Sequence, residues 1–277
     1  MLGHGNAEPS TDIREGVAME PVLVEERDAV AIVRINRPER RNALTRAVKV
    51  ALRDTLAKVA DEDAIRAVVL AGAGEHFCAG QDLAEHAEAL AADPQNVFAT
   101  VQEHYAPITR SLATMPKPVV AAVEGVCVGA GLGFALAADL RVLSRSAIMG
   151  TAFTGIGLTC DSGLSYTLAR AVGEARAREL VLLGDTFTAE QAVAWGIAAR
   201  VSEPGAAVEA ATALATGLAA GPTAAYAESK LLLANPTSLE QSLSEESAAQ
   251  TRLGRSDDHR SAVRAFLAKQ RPSFTGR

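Results

Sequence analysis

The sequence predicts a mixed α/β core followed by a purely helical region. Short apolar strand patterns interleave with helical periodicity up to about residue 205. Beyond it only helical patterns remain: AAVEAATALATGLAA, PTAAYAESKLLLA, SLEQSLSEESAAQTR and DDHRSAVRAFLAKQ. The 277 residues are 48% hydrophobic and 22% charged, which is enough to bury a large core. Residues 1–20 are expected to form a flexible tail, 21–205 the core and 206–277 a helical C-terminal region.

Taken in order, VLVEER (22–27) and AVAIVRI (29–35) read as paired strands. TRAVKVALRDTLAKVADED (45–63) has a helical period, with Thr45 placed to cap it. RAVVLAG (66–72) is a short apolar strand closed by glycine. QDLAEHAEALAAD and VFATVQEHYAPITRSLATM read as helices, after which Pro116 and Pro118 punctuate the entry to the strand PVVAAV. AADLRVLSRSAIMG supplies a further strand.

Composition narrows the partners. A net charge of −6 and a pI near 5.5 argue against a general nucleic-acid or anionic-membrane surface, so local basic groups must meet any anionic ligand. Cys78, Cys127 and Cys160 are widely spaced and form no C-x-x-C pair, which speaks against a metal site or disulfide framework and fits a reducing cytoplasm. No stretch approaches the ~18 apolar residues of a membrane span. MLGHGNAEPSTDIREG lacks the apolar centre of a signal peptide.

Two glycine-rich segments carry chemistry. GVCVGAGLG (125–133) lies between the strand PVVAAV and the helical FALAADL. A dinucleotide loop needs G-x-G-x-x-G, and a P-loop ends in Gly-Lys-Ser/Thr. Gly129, Gly131 and Gly133 instead give G-x-G-x-G with no lysine after them, so nucleotide binding is not expected. GAGEHFCAGQDL (72–83) likewise follows an apolar strand and ends at a helix start. Two such turns can converge, each offering a free N–H at its helix start, and together they are a candidate oxyanion hole.

With these segments in place the chain resembles the crotonase, or enoyl-CoA hydratase/isomerase, family. The likeness runs through INRPERRNALT (35–45), VVLAGAGEHFCAGQDL (68–83), KPVVAAVEGVCVGAGLGFALAADLRV (117–142), IGLTCDSGLSYTLARAVG (156–173), LLGDTFTAEQAVAWGIAARVSE (182–203) and SDDHRSAVRAFLAKQRPSFTG (256–276). The resemblance implies a spiral of ββα units with a helical oligomerisation region, assembled as a homotrimer or dimer of trimers. It implies an acyl-CoA thioester as substrate, coenzyme A being part of that substrate, with no separate cofactor and no metal. The thioester carbonyl would be held by the backbone N–H groups of Gln81 and Ala130, among substrate-binding residues Ala79, Gly80, Gly129 and Phe153. The reactions pass through a thioester enolate, and one preplaced donor to its oxygen is worth about 3 to 4 kcal/mol. Arg40 and Arg41 fall in the loop that runs along the CoA adenine and phosphates, and Lys269 in a C-terminal segment that also contributes phosphate contacts.

The acid/base residues depart from the hydratase pattern. The two glutamates of family hydratases correspond to Gly133 and Phe153, so the paired carboxylates for adding water are missing. Asp161, in GLTCDSGLSY, falls where some isomerases of the family carry a catalytic aspartate, and one base suffices to move a double bond. Apolar Phe153, Ile156, Leu158 and Leu164 are expected to raise its pKa. Asp161-Ser162-Gly163 is also a good helix N-cap sequence, an alternative use for the same residue. The family's 4-chlorobenzoyl-CoA dehalogenases use an aspartate here together with a tryptophan and a histidine. Phe153 and Ala106 stand at those places, and His104, two residues off, is turned by about 200° on a helix. Dehalogenation is therefore not expected. His104 is read as a surface or packing residue, Glu124 as structural, Asp82 as a helix-start residue and Cys160 as packing. Double-bond isomerisation in an enoyl-CoA leads. The alternatives are hydration with atypical acid/base residues and a catalytically impaired acyl-CoA binder.

Overall fold

The computed structural model describes residues 20–234 and 238–276, so the expected N-terminal tail, apart from Glu20, lies outside the described residues. Strand β1 (Val22–Arg27) pairs antiparallel with β2 (Val30–Ile35). The sheet then continues in parallel through β3 (Ala67–Gly72), β4 (Val119–Val123), β6 (Leu140–Ser144) and β9 (Arg200–Ser202), in the order β1-β2-β3-β4-β6-β9. A second sheet joins β5 (Val126–Val128), β7 (Ile148–Gly150) and β8 (Phe187–Thr188).

The chain alternates between these layers. Strands β2, β3, β4 and β6 each pass to a short extended segment and then to a helix: β2 through Leu44 to α1 (Arg46–Asp61), and β3 through Cys78 and Gln81 to α2 (Leu83–Ala92). A π-helical turn (Val101–Tyr105) leads into α3 (Ala106–Thr114) before β4 passes through β5 to α4 (Ala130–Ala137). Next, β6 passes through β7 to α5 (Leu164–Val172), followed by α6 (Glu174–Leu183) and α7 (Ala189–Ala194). Isolated bridges Leu44 to Gln81 and Cys78 to Cys127 lock successive turns of this spiral in register. The repeat places helix starts beside one another, and that is what builds the site.

The central strands β3 and β4 are apolar on both faces because both are covered. Val68, Leu70, Val119, Ala121 and Val123 pack with Leu52 and Leu56 of α1, Ile108 and Leu112 of α3 and Phe134 of α4. On the other face, Ala67, Val69, Ala71, Val120, Ala122 and Val142 meet Ala207, Ala211, Ala215 and Ala219 of α8 (Ala207–Ala219). Fourfold spacing aligns the four alanines in one stripe, and their small side chains let the helix lie close on the sheet. The helical region thus shares the core at α8, and continues as α9 (Thr223–Ala234), α10 (Leu239–Leu253) and α11 (Asp257–Leu267). Among the described residues no helix is long and apolar enough to cross a membrane.

Thr45 caps α1 as the sequence predicts, accepting from Val48 N at 3.3 Å. The single strand expected in AADLRVLSRSAIMG is two strands, β6 and β7, in different sheets. The helix expected to end at Met115 begins with the π-turn rather than running regularly. Strands of two or three residues, such as β5, β7 and β8, are too short to show a period.

Candidate active site

The two glycine turns meet. In the bridge between Leu44 and Gln81, Leu44 N donates to Gly80 O at 2.8 Å and Asp82 N to Leu44 O at 3.2 Å, so Gln81 turns its own N–H away from that partner. Gly80 N is engaged with Cys78 Sγ at 3.4 Å, which leaves Gln81 as the donor of this turn. Asp82 then starts α2 as predicted: its Oδ1 accepts from Ala84 N and Glu85 N, both at 3.0 Å. Those backbone donors, chiefly Glu85 N, and the Arg37 guanidinium on Oδ2 hold the Asp82 carboxyl below the usual range.

In the second turn Gly129 takes φ 58° and ψ −127°, a backbone conformation that favours glycine, and caps α4 with no side chain. Ala130 N, the first helical donor, is therefore an orphan. The turns touch: a Cβ on Gly129 would lie 3.8 Å from Gly80 Cα, and one on Gly80 3.6 Å from Ala130 N. Among the described residues, neither Gln81 N nor Ala130 N donates to a protein acceptor. Two free donors at one point are what an enolate oxygen needs.

Asn42 holds the first turn and was missed from sequence. It is fully buried, accepts from Arg37 N at 2.9 Å, and donates from Nδ2 to Ala73 O at 3.0 Å and His76 O at 2.6 Å. Its place in RRNALT was the available signal.

Asp161 lies in the loop before α5, half-buried, with Ser162 Oγ donating to its Oδ1 at 2.8 Å. Burial pushes its carboxyl above the ordinary range, against the Ser162 hydrogen bond and the Lys49 charge, which pull it down. Its side chain does not cap α5; Gly163 occupies the cap position and only Asp161 O accepts from Leu164 N, at 2.9 Å. Of the expected apolar surroundings, Phe153 and Leu164 are buried and Leu158 packs on the core, but Ile156 is 50% exposed because its 3-10 turn (Thr154–Ile156) faces outward. At Gly133, where the resemblance would put a hydratase glutamate, there is no room for a side chain. A Cβ there would stand 2.6 Å from Ser162 Cβ and 2.9 Å from Ser162 O, so the loop carrying Asp161 fills the space a side chain at 133 would need.

Arg40 and Arg41 are exposed on a short 3-10 turn, and Arg41 O accepts from Ala79 N at 2.9 Å, which sets both arginines at the edge of the first turn. Lys269 is not brought to the turns. Its N–H donates to Phe266 O at the end of α11, and the chain runs on to a tail held at Arg66, at the amino end of β3. Cys160 is partly buried against the core, as packing requires. His104 is buried, with Nδ1 3.1 Å from Thr100 Oγ1, in a packing position. Glu124 is structural: its Oε1 accepts from Ala207 N at 2.8 Å, at the start of α8. A cavity of about 810 Å³ lies apart from these turns, between α3, α5 and α9.

A polar chain beside Gln81 was also missed. Tyr105 OH donates to Gln81 Oε1 at 2.7 Å, and Gln81 Nε2 is 3.0 Å from His86 Nδ1. Burial, with the nearby Asp161 charge second, pushes the Tyr105 hydroxyl well above its ordinary pKa. Lys49 Nζ lies 5.3 Å from the centre of the Tyr105 ring and donates to Thr100 Oγ1 at 2.8 Å.

Residues 25–277 match the family model for enoyl-CoA hydratase/isomerase. This chain belongs to the enoyl-CoA hydratase/isomerase family. It is 39% identical to the 1,2-epoxyphenylacetyl-CoA isomerase of Escherichia coli (strain K12), over 94% of this chain and 100% of that protein. It is also 39% identical to a Rhodobacter capsulatus protein named a probable enoyl-CoA hydratase, over 90% and 96% of the two chains. A solved Mycobacterium abscessus structure, named as an enoyl-CoA hydratase/isomerase, superposes with a TM-score of 0.89 at 48% identity, covering 92% of this chain and 100% of that one. The protein is accordingly a crotonase-fold enzyme of acyl-CoA chemistry, and its relatives carry the names of both reactions.

Proposed function

We propose that this family member moves a double bond within an acyl-CoA thioester, with Asp161 as the proton shuttle. Coenzyme A enters as part of the substrate and no separate cofactor is needed. With a 3-enoyl thioester, the Asp161 carboxylate takes the proton from C2, and the electron pair passes to the thioester oxygen to give a dienolate. The N–H groups of Gln81 and Ala130 hold that oxygen. Asp161 returns the proton to C4, the double bond settles between C2 and C3, and the carboxylate is regenerated. Arg40 and Arg41 meet the phosphates of coenzyme A, and the chain assembles as a homotrimer or dimer of trimers. The cytoplasm suits its three free thiols.

The observation that supports this reading is the close approach of Ser162 to Gly133, which leaves no room for a side chain at 133 beside the loop bearing Asp161. The name of the Escherichia coli relative, an isomerase of a CoA thioester, supports the same class. The test compares 3-enoyl-CoA with 2-enoyl-CoA. Conversion of the former should fall at least about 10²-fold in Asp161→Asn, the lower bound for an essential acid/base. Rapid hydration of 2-enoyl-CoA that survives Asp161→Asn would defeat the proposal. Tight acyl-CoA binding without exchange of the C2 proton in deuterated water would instead mark a binder that has lost its chemistry.

A further inference from the structure

Lys49 is a buried cation with spare donors. It projects from α1, is 3% exposed, and its ammonium carries three N–H groups, of which Thr100 Oγ1 takes one. Among the described residues no carboxylate lies within ion-pair distance of it. A buried ammonium with unused donors costs folding free energy, so its retention points to a ligand.

The surroundings say where that ligand lies. Lys49 Nζ stands on the Tyr105 ring, and the hydroxyl of that ring is bound to the side chain of Gln81, whose N–H is half of the oxyanion pair. The charge of Asp161 reaches both Lys49 and Tyr105. Lys49, Tyr105 and Gln81 thus form one chain of contacts that ends at a proposed oxyanion residue, with Asp161 near enough for its charge to act on Lys49 and Tyr105. They also say what the ligand is. Glu85 and Asp161 already oppose the loss of the Lys49 charge that burial favours, with Arg46 acting the other way, so two carboxylates already meet that charge and a further anion is not called for. An acceptor lone pair is what Lys49 lacks.

We infer that Lys49 is a specificity-determining residue that receives a neutral oxygen on the acyl group, a ketone, hydroxyl or ring oxygen beyond the thioester. This rests on the acyl-CoA reading of the site. Substrates of purely hydrocarbon acyl chain would leave the Lys49 donors unmatched, whereas an oxygenated chain satisfies them.

Calorimetric binding of saturated thioesters tests it without turnover. The matched pairs are 4-oxopentanoyl-CoA against pentanoyl-CoA, 5-oxohexanoyl-CoA against hexanoyl-CoA, and 4-hydroxyphenylacetyl-CoA against phenylacetyl-CoA, with adipoyl-CoA as the anionic arm. In at least one pair the oxygenated member should bind about tenfold tighter or more, the value of a hydrogen bond to a charged group. That preference should vanish in Lys49→Met, with the hydrocarbon member still bound. Lys49→Arg, which keeps donors at the site, should retain part of it. Equal binding within every pair, or a preference that survives Lys49→Met, overturns the inference and leaves the acyl-CoA site standing. Adipoyl-CoA binding tighter than 5-oxohexanoyl-CoA overturns the choice of a neutral oxygen. Failure of every thioester to bind overturns the acyl-CoA reading and this inference together.

Discussion

Asp161 sits between two opposing demands. Burial raises its pKa and makes its carboxylate the stronger base, yet it also leaves less of the group ionised, and only the carboxylate can take the first proton. The kcat/KM for isomerisation should therefore rise with pH through a limb above the ordinary carboxylate range. Lys49 pulls the Asp161 pKa down, so Lys49→Met should move that limb to higher pH. A limb unmoved by Lys49→Met would show that the two groups do not communicate. Linkage has the matching sign. Because the folded pKa is raised, the contribution of Asp161 to stability is most favourable below the unfolded value and is lost as pH rises through the folded one. At neutral pH, Asp161→Asn should melt at a higher temperature than the parent while losing activity. At this scale the sequence was legible where local geometry does the work. The two turns were legible from their glycines, whereas Gln81, Ala130 and Asp161 follow from the family resemblance. Tyr105, Lys49 and Asn42 were not legible, since their partners lie 24, 51 and 31 residues away and only the spiral brings them together.

Elements owe their placement to polar groups at their ends. The Glu124 carboxylate, buried beside the turn into β5, receives the first N–H of α8 and so binds the helix that covers the second face of the sheet. Glu124 follows β4 directly, and Phe77 N donates to its carbonyl at 2.8 Å, so one residue links the second helical layer to the strand segment of the first oxyanion turn. Removing a cap typically costs about 0.5 to 2 kcal/mol. Glu124→Ala should lower the free energy of denaturant unfolding by this order, and Glu124→Gln, which keeps an acceptor, should cost less. Equal unfolding midpoints for Glu124→Ala and the parent would remove the capping role. The main helices and the strands of the large sheet were readable because each shows a period or a bounded apolar run. The second sheet was not, since β5 spans three residues and its pairing to β7 depends on the layer change after β4.

Across the whole molecule, the C-terminal segment is anchored at two places. Lys230 of α9 donates to Asp139 Oδ2 at 2.8 Å and to Leu112 O at 2.9 Å. The tail returns to Arg66, which donates to Phe274 O, and to Asp258, which accepts from Thr275 N at 2.7 Å and Gly276 N at 2.8 Å. Between these anchors large apolar side chains face outward: Leu233 is 74%, Leu239 71%, Phe266 81% and Leu267 76% exposed. These are side chains that the proposed homo-oligomer would cover between chains. Sedimentation equilibrium should give three or six times the 28.8 kDa chain mass at micromolar concentration, and a monomer would remove the trimer proposal.

The contact of Gly133 with Ser162 also orders the routes between reaction types. The position that would hold a glutamate and the loop that holds the aspartate compete for one volume, so the two bases are alternatives rather than additions. A side chain installed at 133 would have to displace Ser162 and, with it, the neighbouring Asp161. Reshaping residues 161–163 must come before, or together with, any change at 133. Under the Asp161 proposal, passage between isomerase and hydratase chemistry would need paired changes, at 133 and in 161–163, rather than one.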